Sequence, residues 1–230
     1  MDDAISTGDA LLAKKDRTSS VLFYIIIIFL VGFICLSMFF THNIVDGESM
    51  ENTLQNEQFV ILQRAGFSIK AGDIVTVGNI PNHDEPLIKR VVALGGDRVL
   101  FMRSNDGQYV DLYVCKSGNA VFEKVNEPYI KERMGIGASY EKVGLCPYIA
   151  DISAVDLFAT DGSHSAERET ITRYAFLVGK GDIFYLGDNR NHSSDSRVYG
   201  TSPRSDVLGK VIKIVESGSN ADKILSFLYK

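Results

Sequence analysis

"LIKRVVALGGDRVLFM", residues 87–102, holds two short runs rich in Val, Ile, Leu and Phe, divided by Gly95-Gly96-Asp97. Runs of this length and composition, bounded by glycine, are β-strand signals. The same Gly-Asp punctuation stands at Gly72-Asp73 and Gly181-Asp182, each time ahead of another apolar run, and each is a turn signal feeding a strand. Their spacing is irregular, so they do not mark a repeat. Strands are expected over 59–62, 73–77, 87–94, 98–102, 109–115, 182–186 and 207–215, with Asn105-Asp106-Gly107 closing a hairpin. Residues 132–180 are more polar and less periodic, and "GSHSAERET" at 162–170 reads as an exposed loop. From Ser217 onward, "ADKILSFLYK" fits a short amphipathic helix. It would either cap the domain or lie on a membrane surface.

Working outward toward the N-terminus, residues 21–40, "VLFYIIIIFLVGFICLSMFF", contain no charge. A helix of this length spans roughly 30 Å, the thickness of a bilayer's hydrocarbon core. A cleaved leader has a shorter apolar region followed by a small-x-small site; this run ends in Met38-Phe39-Phe40 and reads as a retained anchor. Lys14, Lys15 and Arg17 precede it, and no Lys or Arg follows until Arg64. The bias of cationic residues toward the cytoplasm then places residues 1–20 inside as a tail, 21–41 as the transmembrane helix, and 42–230 outside.

The 230 residues are 45% apolar and 23% charged, with net charge −5 and pI ≈ 5.4. That is ordinary globular composition. No stretch collects enough Lys and Arg to neutralise a phosphate backbone, which argues against nucleic acid. The spacing of Cys35, Cys115 and Cys146 fits no zinc pattern, and no His-Glu-x-x-His or similar ligand set supports a metal. Cys35 lies in the apolar run; Cys115 and Cys146 are open between free thiols and a pair.

Three stretches could carry chemistry. In "LIKRVV", Lys89 and Arg90 face opposite sides of a strand, so one of them points into the packed face. A lysine there is either a stem snorkelling at a strand edge or a desolvated amine whose lowered pKa leaves it able to take a proton near neutrality. "GDNRNHSSDSR" at 187–197 is either a polar loop on an Asp-Asn turn or a hydrogen-bonded support that orients a catalytic group. Asp195 and Arg197, two apart, share a face on extended backbone. "DGESMENTL" at 46–54 alone means little, since Ser among Gly, Asp and Glu is usually a turn or cap residue.

Taken in order behind the anchor, "GESM", "AGDIVTV" at 71–77, "LIKRVVALGGD", "NEPYI" at 126–130 and "GDNRNHSSDSR" resemble bacterial type I signal peptidase, of a Gram-positive-like branch. That family is the membrane-anchored serine endopeptidase with a Ser/Lys dyad that removes signal peptides from exported preproteins. The resemblance implies a mostly β fold: a coiled antiparallel catalytic core from 42–100 and 181–216, of a type shared with LexA-like repressors, an inserted β-rich region at 101–180, and a tail at 217–230. It implies Ser49 as nucleophile and Lys89 as general base, with Ser193 orienting the lysine. The oxyanion would rest on the backbone at Ser49 and Gly47. Cleavage would follow small residues at P1 and P3, with a shallow pocket for the P1 side chain lined by Val45, Met50, Leu54, Leu87 and Ile88 and substrate backbone bound by β-augmentation. Asp188, Asn189, Asp195 and Arg197 would be structural support. No cofactor and no metal are implied; the partners would be preproteins and the bilayer.

Departures from the family's pattern fall at Asn52, where relatives commonly have Pro, at Ala93 and Gly95, and at Gly47, where some relatives carry a second Ser. A Ser-His-Asp site is disfavoured because Glu51 stands where a nucleophile elbow needs Gly; His192, in the late polar block, is the one rival base. A LexA-like autoprotease would need a DNA-binding helix pair that twenty cytoplasmic residues do not hold. An anchored, non-enzymatic β-rich binding or escort domain explains the anchor and strands, but not a buried lysine, a Ser-Met loop and the late polar block together.

Overall fold

Apolar runs of four to eight residues become strands wherever glycine turns divide them. The computed structural model describes residues 2–51, 53–137, 142–146 and 165–229. After α1 (Asp2–Phe39) come β1 (Phe40–Ile44), β2 (Phe59–Gln63), β3 (Ile74–Val77), β4 (Leu87–Leu94), β5 (Arg98–Arg103), β6 (Tyr109–Cys115), β7 (Glu123–Lys124), β8 (Met134–Gly135) and β9 (Leu145–Cys146). Next come α2 (Ser165–Tyr174), β10 (Phe176–Leu177), β11 (Asp182–Leu186), α3 (Ser196–Tyr199), β12 (Ser202–Pro203), β13 (Val207–Ile214) and α4 (Asn220–Tyr229). The chain divides into two units, Met1–Thr41 and His42–Lys230.

The first unit is α1. Its segment Ser19–Phe39, 21 residues of mean hydropathy 2.9 with none of it buried, is long and apolar enough to cross a membrane. The helix begins at Asp2, well ahead of the apolar run, and stops at Phe39, so Phe40 and Thr41 of the expected 21–41 span belong to β1. The β-branched Thr41, Ile44 and Val45 favour extended backbone there.

In the second unit, one sheet runs in the order β1-β2-β13-β3-β4-β11-β12. A second sheet runs β10-β5-β6-β7, with β8 beside β6 and β9 beside β5. From β2 onward the registers are antiparallel except for β5 with β9, which are parallel. The second sheet starts at Arg98, a few residues ahead of the insert expected from 101. β11 shows why the core holds. Ile183 and Tyr185 enter one apolar cluster with Val75, Val77 and Val91, while Phe184 and Leu186 enter another with Val92, Phe101 and Leu112. Alternate residues thus bury opposite faces of a central strand. The Gly-Asp turns hold glycine at positive φ (94° at Gly72, 93° at Gly96, 90° at Gly181), where other residues are strained. Gly95 has another reason: a Cβ there would meet the Gly179 carbonyl and the Gly181 nitrogen at 2.7 Å.

One expectation changes here. "GSHSAERET" is not a loop from Ser165 onward: residues 165–174 are α2, while 162–164 lie outside the described residues. Ala, Glu and Arg favour helix, Glu169 and Arg173 pair four apart at 3.5 Å, and Ile171 is fully buried as the anchor. Cys115 and Cys146, which the sequence leaves open between thiols and a pair, form no disulfide and are both buried in one cluster with Leu100, Met102 and Ile171. Asn52 lies outside the described residues.

Candidate active site

β4 and β11 deliver the site. In register, Lys89 faces Val75 of β3, and Arg90 faces Leu186, the last residue of β11. The chain leaving β11 at Gly187 therefore emerges beside Lys89. The Lys89 side chain is 2% exposed. Its Nζ lies 2.7 Å from Ser49 Oγ and 3.0 Å from the Ile88 carbonyl, to which it donates. Burial lowers the amine from its ordinary 10.5 to about 8, against the opposing pull of the Asp195 and Asp188 carboxylates. A neutral amine needs both conditions: loss of water around it, and no carboxylate in contact. Ser49 is half-buried, so its hydroxyl stays accessible.

Arg90 corrects the expectation that only one of the pair is buried, for it is 9% exposed on the opposite face. "NEPYI" covers that face: the guanidinium lies 3.8 Å from the Tyr129 ring centroid. Arg90 is bidentate to Asp188 at 2.9 and 2.6 Å and donates to the Gly72 carbonyl at 2.8 Å. Thr53 Oγ1 also donates to Asp188. Arg190 likewise forks onto Glu127, which accepts from the Tyr129 hydroxyl. Sequence reasoning missed Arg90, Thr53, Glu127 and Arg190. Only Arg90 had a signal, as a second charge in the otherwise apolar run 87–94.

The 187–197 loop grips the serine loop through backbone. Asn189 N–H donates to the Ser49 carbonyl (3.0 Å), Asn189 Nδ2 to the Glu48 carbonyl (3.2 Å), and Asp188 N–H to Met50 Sδ (3.4 Å). Asp195 and Arg197 are each 0% exposed and paired through both oxygens at 2.8 Å. Arg197 also donates to the carbonyls of Arg190 (2.7 Å) and Ser193 (3.2 Å). Asp195 further accepts from Gly187 N–H and from the hydroxyl of Ser193. This last bond is a correction. Ser193 Oγ donates to Asp195 at 2.8 Å and makes no hydrogen bond to Lys89, because a carboxylate is the stronger acceptor.

Two further expectations shift. Gly47 N–H, expected at the oxyanion, donates to Asn56 Oδ1 at 2.9 Å. The Ser49 N–H has no hydrogen-bond partner among the described residues and remains available. Val45, Met50 and Leu54 do not line the groove beside Ser49 and Lys89: they are 0–2% exposed and pack with Val60 and Leu62 beneath the serine loop. Leu87 and Ile88 do line it, in a groove of about 390 Å³ alongside Ile44, Asp46, His83 and Glu85. Alternation explains the exchange, since Val45 turns inward and Ile44 therefore faces out. His192 is exposed and makes no hydrogen bond to Ser49 among the described residues. Among the described residues, no group of three or more His, Cys, Asp and Glu could hold a metal.

Gly187 is the tightest point. A Cβ there would stand 2.2 Å from Ser193 Oγ and 2.5 Å from the Ser49 carbonyl oxygen. Gly187→Ala is expected to displace the serine loop and lower kcat/KM on the order of 10²-fold, the effect of roughly 1 Å of misplacement. Retention of activity within a few-fold would show that the loop can give way.

Known proteins resemble the chain over most of its length. The family described as "Signal peptidase, peptidase S26" matches residues 17–215. Signal peptidase I of Bacillus caldolyticus is 31% identical over 176 residues, covering 75% of this chain and 77% of the relative. Signal peptidase I of Buchnera aphidicola is 26% identical over 225 residues, covering 81% and 71%. A solved signal peptidase I from Enterococcus faecalis covers 64% of this chain and 99% of its own at 22% identity and TM-score 0.37, a likeness that adds no weight.

Proposed function

The chain belongs to the signal peptidases of family S26, and from that membership we propose that Ser49 and Lys89 are its nucleophile and general base. The protein is a serine endopeptidase of the type I signal peptidase class, which removes signal peptides from preproteins. One observation carries the assignment of roles: Ser49 Oγ and the buried Lys89 Nζ are 2.7 Å apart. Neutral Nζ takes the hydroxyl proton as Oγ attacks the scissile carbonyl. The Ile88 carbonyl, accepting one N–H, turns the amine's lone pair toward the serine. The developing oxyanion meets the Ser49 N–H. The lysine then gives its proton to the leaving amine, and a water activated by the same amine releases the acyl group. The substrate's extended backbone would lie in the groove between residues 43–47 and 85–89, small side chains against Ile44, Leu87 and Ile88. Ser193 acts through Asp195, which it helps to hold.

Full-length protein in detergent is expected to cut a preprotein after a small-x-small site, read by sequencing the mature N-terminus. Activity should rise with pH along a basic limb with an apparent pKa near 8, set by Lys89. At pH 7 about one amine in ten is then neutral, against about three in ten thousand at 10.5. A profile flat from pH 6 to 9 would remove the lysine from the mechanism.

The cationic flank Lys14, Lys15 and Arg17 supports a cytoplasmic N-terminus and an extracytoplasmic peptidase domain. Protease added outside sealed spheroplasts is expected to digest residues 42–230 and spare the first twenty. Protection of the domain would reverse the orientation.

A further inference from the structure

α4 turns most of its described apolar side chains outward, with only Leu225 half-buried among them. Asp222 and Ser226, four apart on one face, are half-buried and line a groove with Ile44, Gln58 and Phe59. Ile224, Phe227 and Leu228, at i, i+3 and i+4, form a stripe that is 60%, 87% and 62% exposed. Asp222, Leu225 and Ser226 are the half-buried side of α4, and the Ile224, Phe227 and Leu228 stripe looks out. The rotation is set by the helix start. Ser219 Oγ accepts from Asp222 N–H at 3.1 Å, and Asp222 Oδ2 accepts from Gly218 N–H at 2.9 Å, a reciprocal cap that fixes Asp222 and with it the stripe.

We infer that α4 lies in the interfacial layer of the bilayer, with Ile224, Phe227 and Leu228 among the acyl chains. The inference rests on the reading of Ser19–Phe39 as a membrane span. Ile44, which shares the groove with α4, follows Phe39 by five residues in the sequence. Whatever the arrangement of the two units, a chain reaching at most about 3.6 Å per residue holds Ile44 within roughly 18 Å of the end of that span. A short helix with an Ile-Phe-Leu stripe and flanking Lys223 and Lys230 has the composition of an interfacial helix, its cations suited to lipid phosphates. Ile44 also lines the groove at Ser49 and Lys89. Seating α4 in the interface would therefore hold the catalytic groove near the plane in which precursors are embedded.

The test uses the full chain in vesicles of phosphatidylcholine and phosphatidylglycerol, with Cys35→Ser to leave one reactive thiol. An environment-sensitive dye on Phe227→Cys is expected to emit at shorter wavelength, to lose emission to acyl-chain spin labels, and to escape aqueous iodide. The same dye on Ser226→Cys should escape the spin labels. Quenching of the Phe227→Cys dye by iodide alone overturns the inference. Shielding from both quenchers overturns it too, because the face would then be covered by protein, such as a second copy. An alkaline carbonate wash separates the two readings: release of the full chain overturns the span itself, whereas retention with an iodide-accessible dye overturns only α4. Phe227→Asp with Leu228→Asp is expected to slow cleavage of membrane-embedded precursor by about fivefold or more through lost confinement, with soluble-peptide cleavage unchanged. Equal loss on both substrates would contradict the inference.

Discussion

Ser49→Ala and Lys89→Met are each expected to lower kcat/KM for preprotein cleavage by about 10³-fold or more, with the double variant no worse than either single one. The serine alone is a weak nucleophile, and the amine does nothing without an oxygen to deprotonate, so the pair acts as a unit. The two variants should differ in stability. The folded-state pKa of Lys89, about 8, lies below its ordinary 10.5. Below pH 8 the amine is charged in both states, and the folded protein carries the full penalty of a buried ammonium. That penalty fades as pH rises from about 8 to 10.5, so stability increases across this window. At about 1.4 kcal/mol per pH unit the penalty is about 3 kcal/mol. Lys89→Met should therefore raise the melting temperature of the full chain in micelles at pH 7 and change it little at pH 11. Ser49→Ala should leave it nearly unchanged. Residual turnover by Lys89→Met, with loss in His192→Ala, would move the base to the histidine. Equal melting temperatures for wild type and Lys89→Met across pH 7–11 would refute a strained buried ammonium.

Arg197→Met is expected to destabilise the protein by about 3–5 kcal/mol, because it leaves the Asp195 carboxylate buried and unpaired. Asp195 is 0% exposed and takes both its guanidinium bonds from this one residue. The same arginine ties the carbonyls of Arg190 and Ser193, so its loss also loosens the loop that holds Ser49. Arg197→Lys should recover little, since an ammonium cannot supply the fork that reaches both oxygens and both carbonyls. A merely structural role predicts lower stability alone. The electrostatic role adds a second readout: Asp195 is the carboxylate that pulls hardest on Lys89. With its partner removed, the limb of the pH profile should move to higher pH in whatever fraction remains folded. An unchanged limb would assign Arg197 to loop structure only.

What was legible in the sequence follows from local rules. The run at 21–40 announced a spanning helix because the bilayer's thickness sets its length. Period-two burial and glycine turns announced the longer strands of both sheets, and the hairpin at 105–107, but not β1 or the short β7–β10 and β12. The Ser49 and Lys89 blocks were legible as a pair only through their order and resemblance. No local rule says that residues forty apart meet at 2.7 Å.

The sequence by itself determined the positions of the seven longer strands, the Gly-Asp turns, and the fact that one of Lys89 and Arg90 enters a packed face, since all three depend on neighbours along the chain. Tertiary structure alone decided which groups those side chains met. Ser193 turned to Asp195 because a carboxylate was within reach, and Gly47 gave its N–H to Asn56. Val45, Met50 and Leu54 became core because the sheet closed beneath them, leaving the groove wall to Ile44. Arg90 became buried because "NEPYI", some forty residues away, lay across the other face of the sheet. Hydrogen-bond partners and burial are set by whatever packs against a strand, and that is fixed by long-range closure rather than by the period of the strand itself.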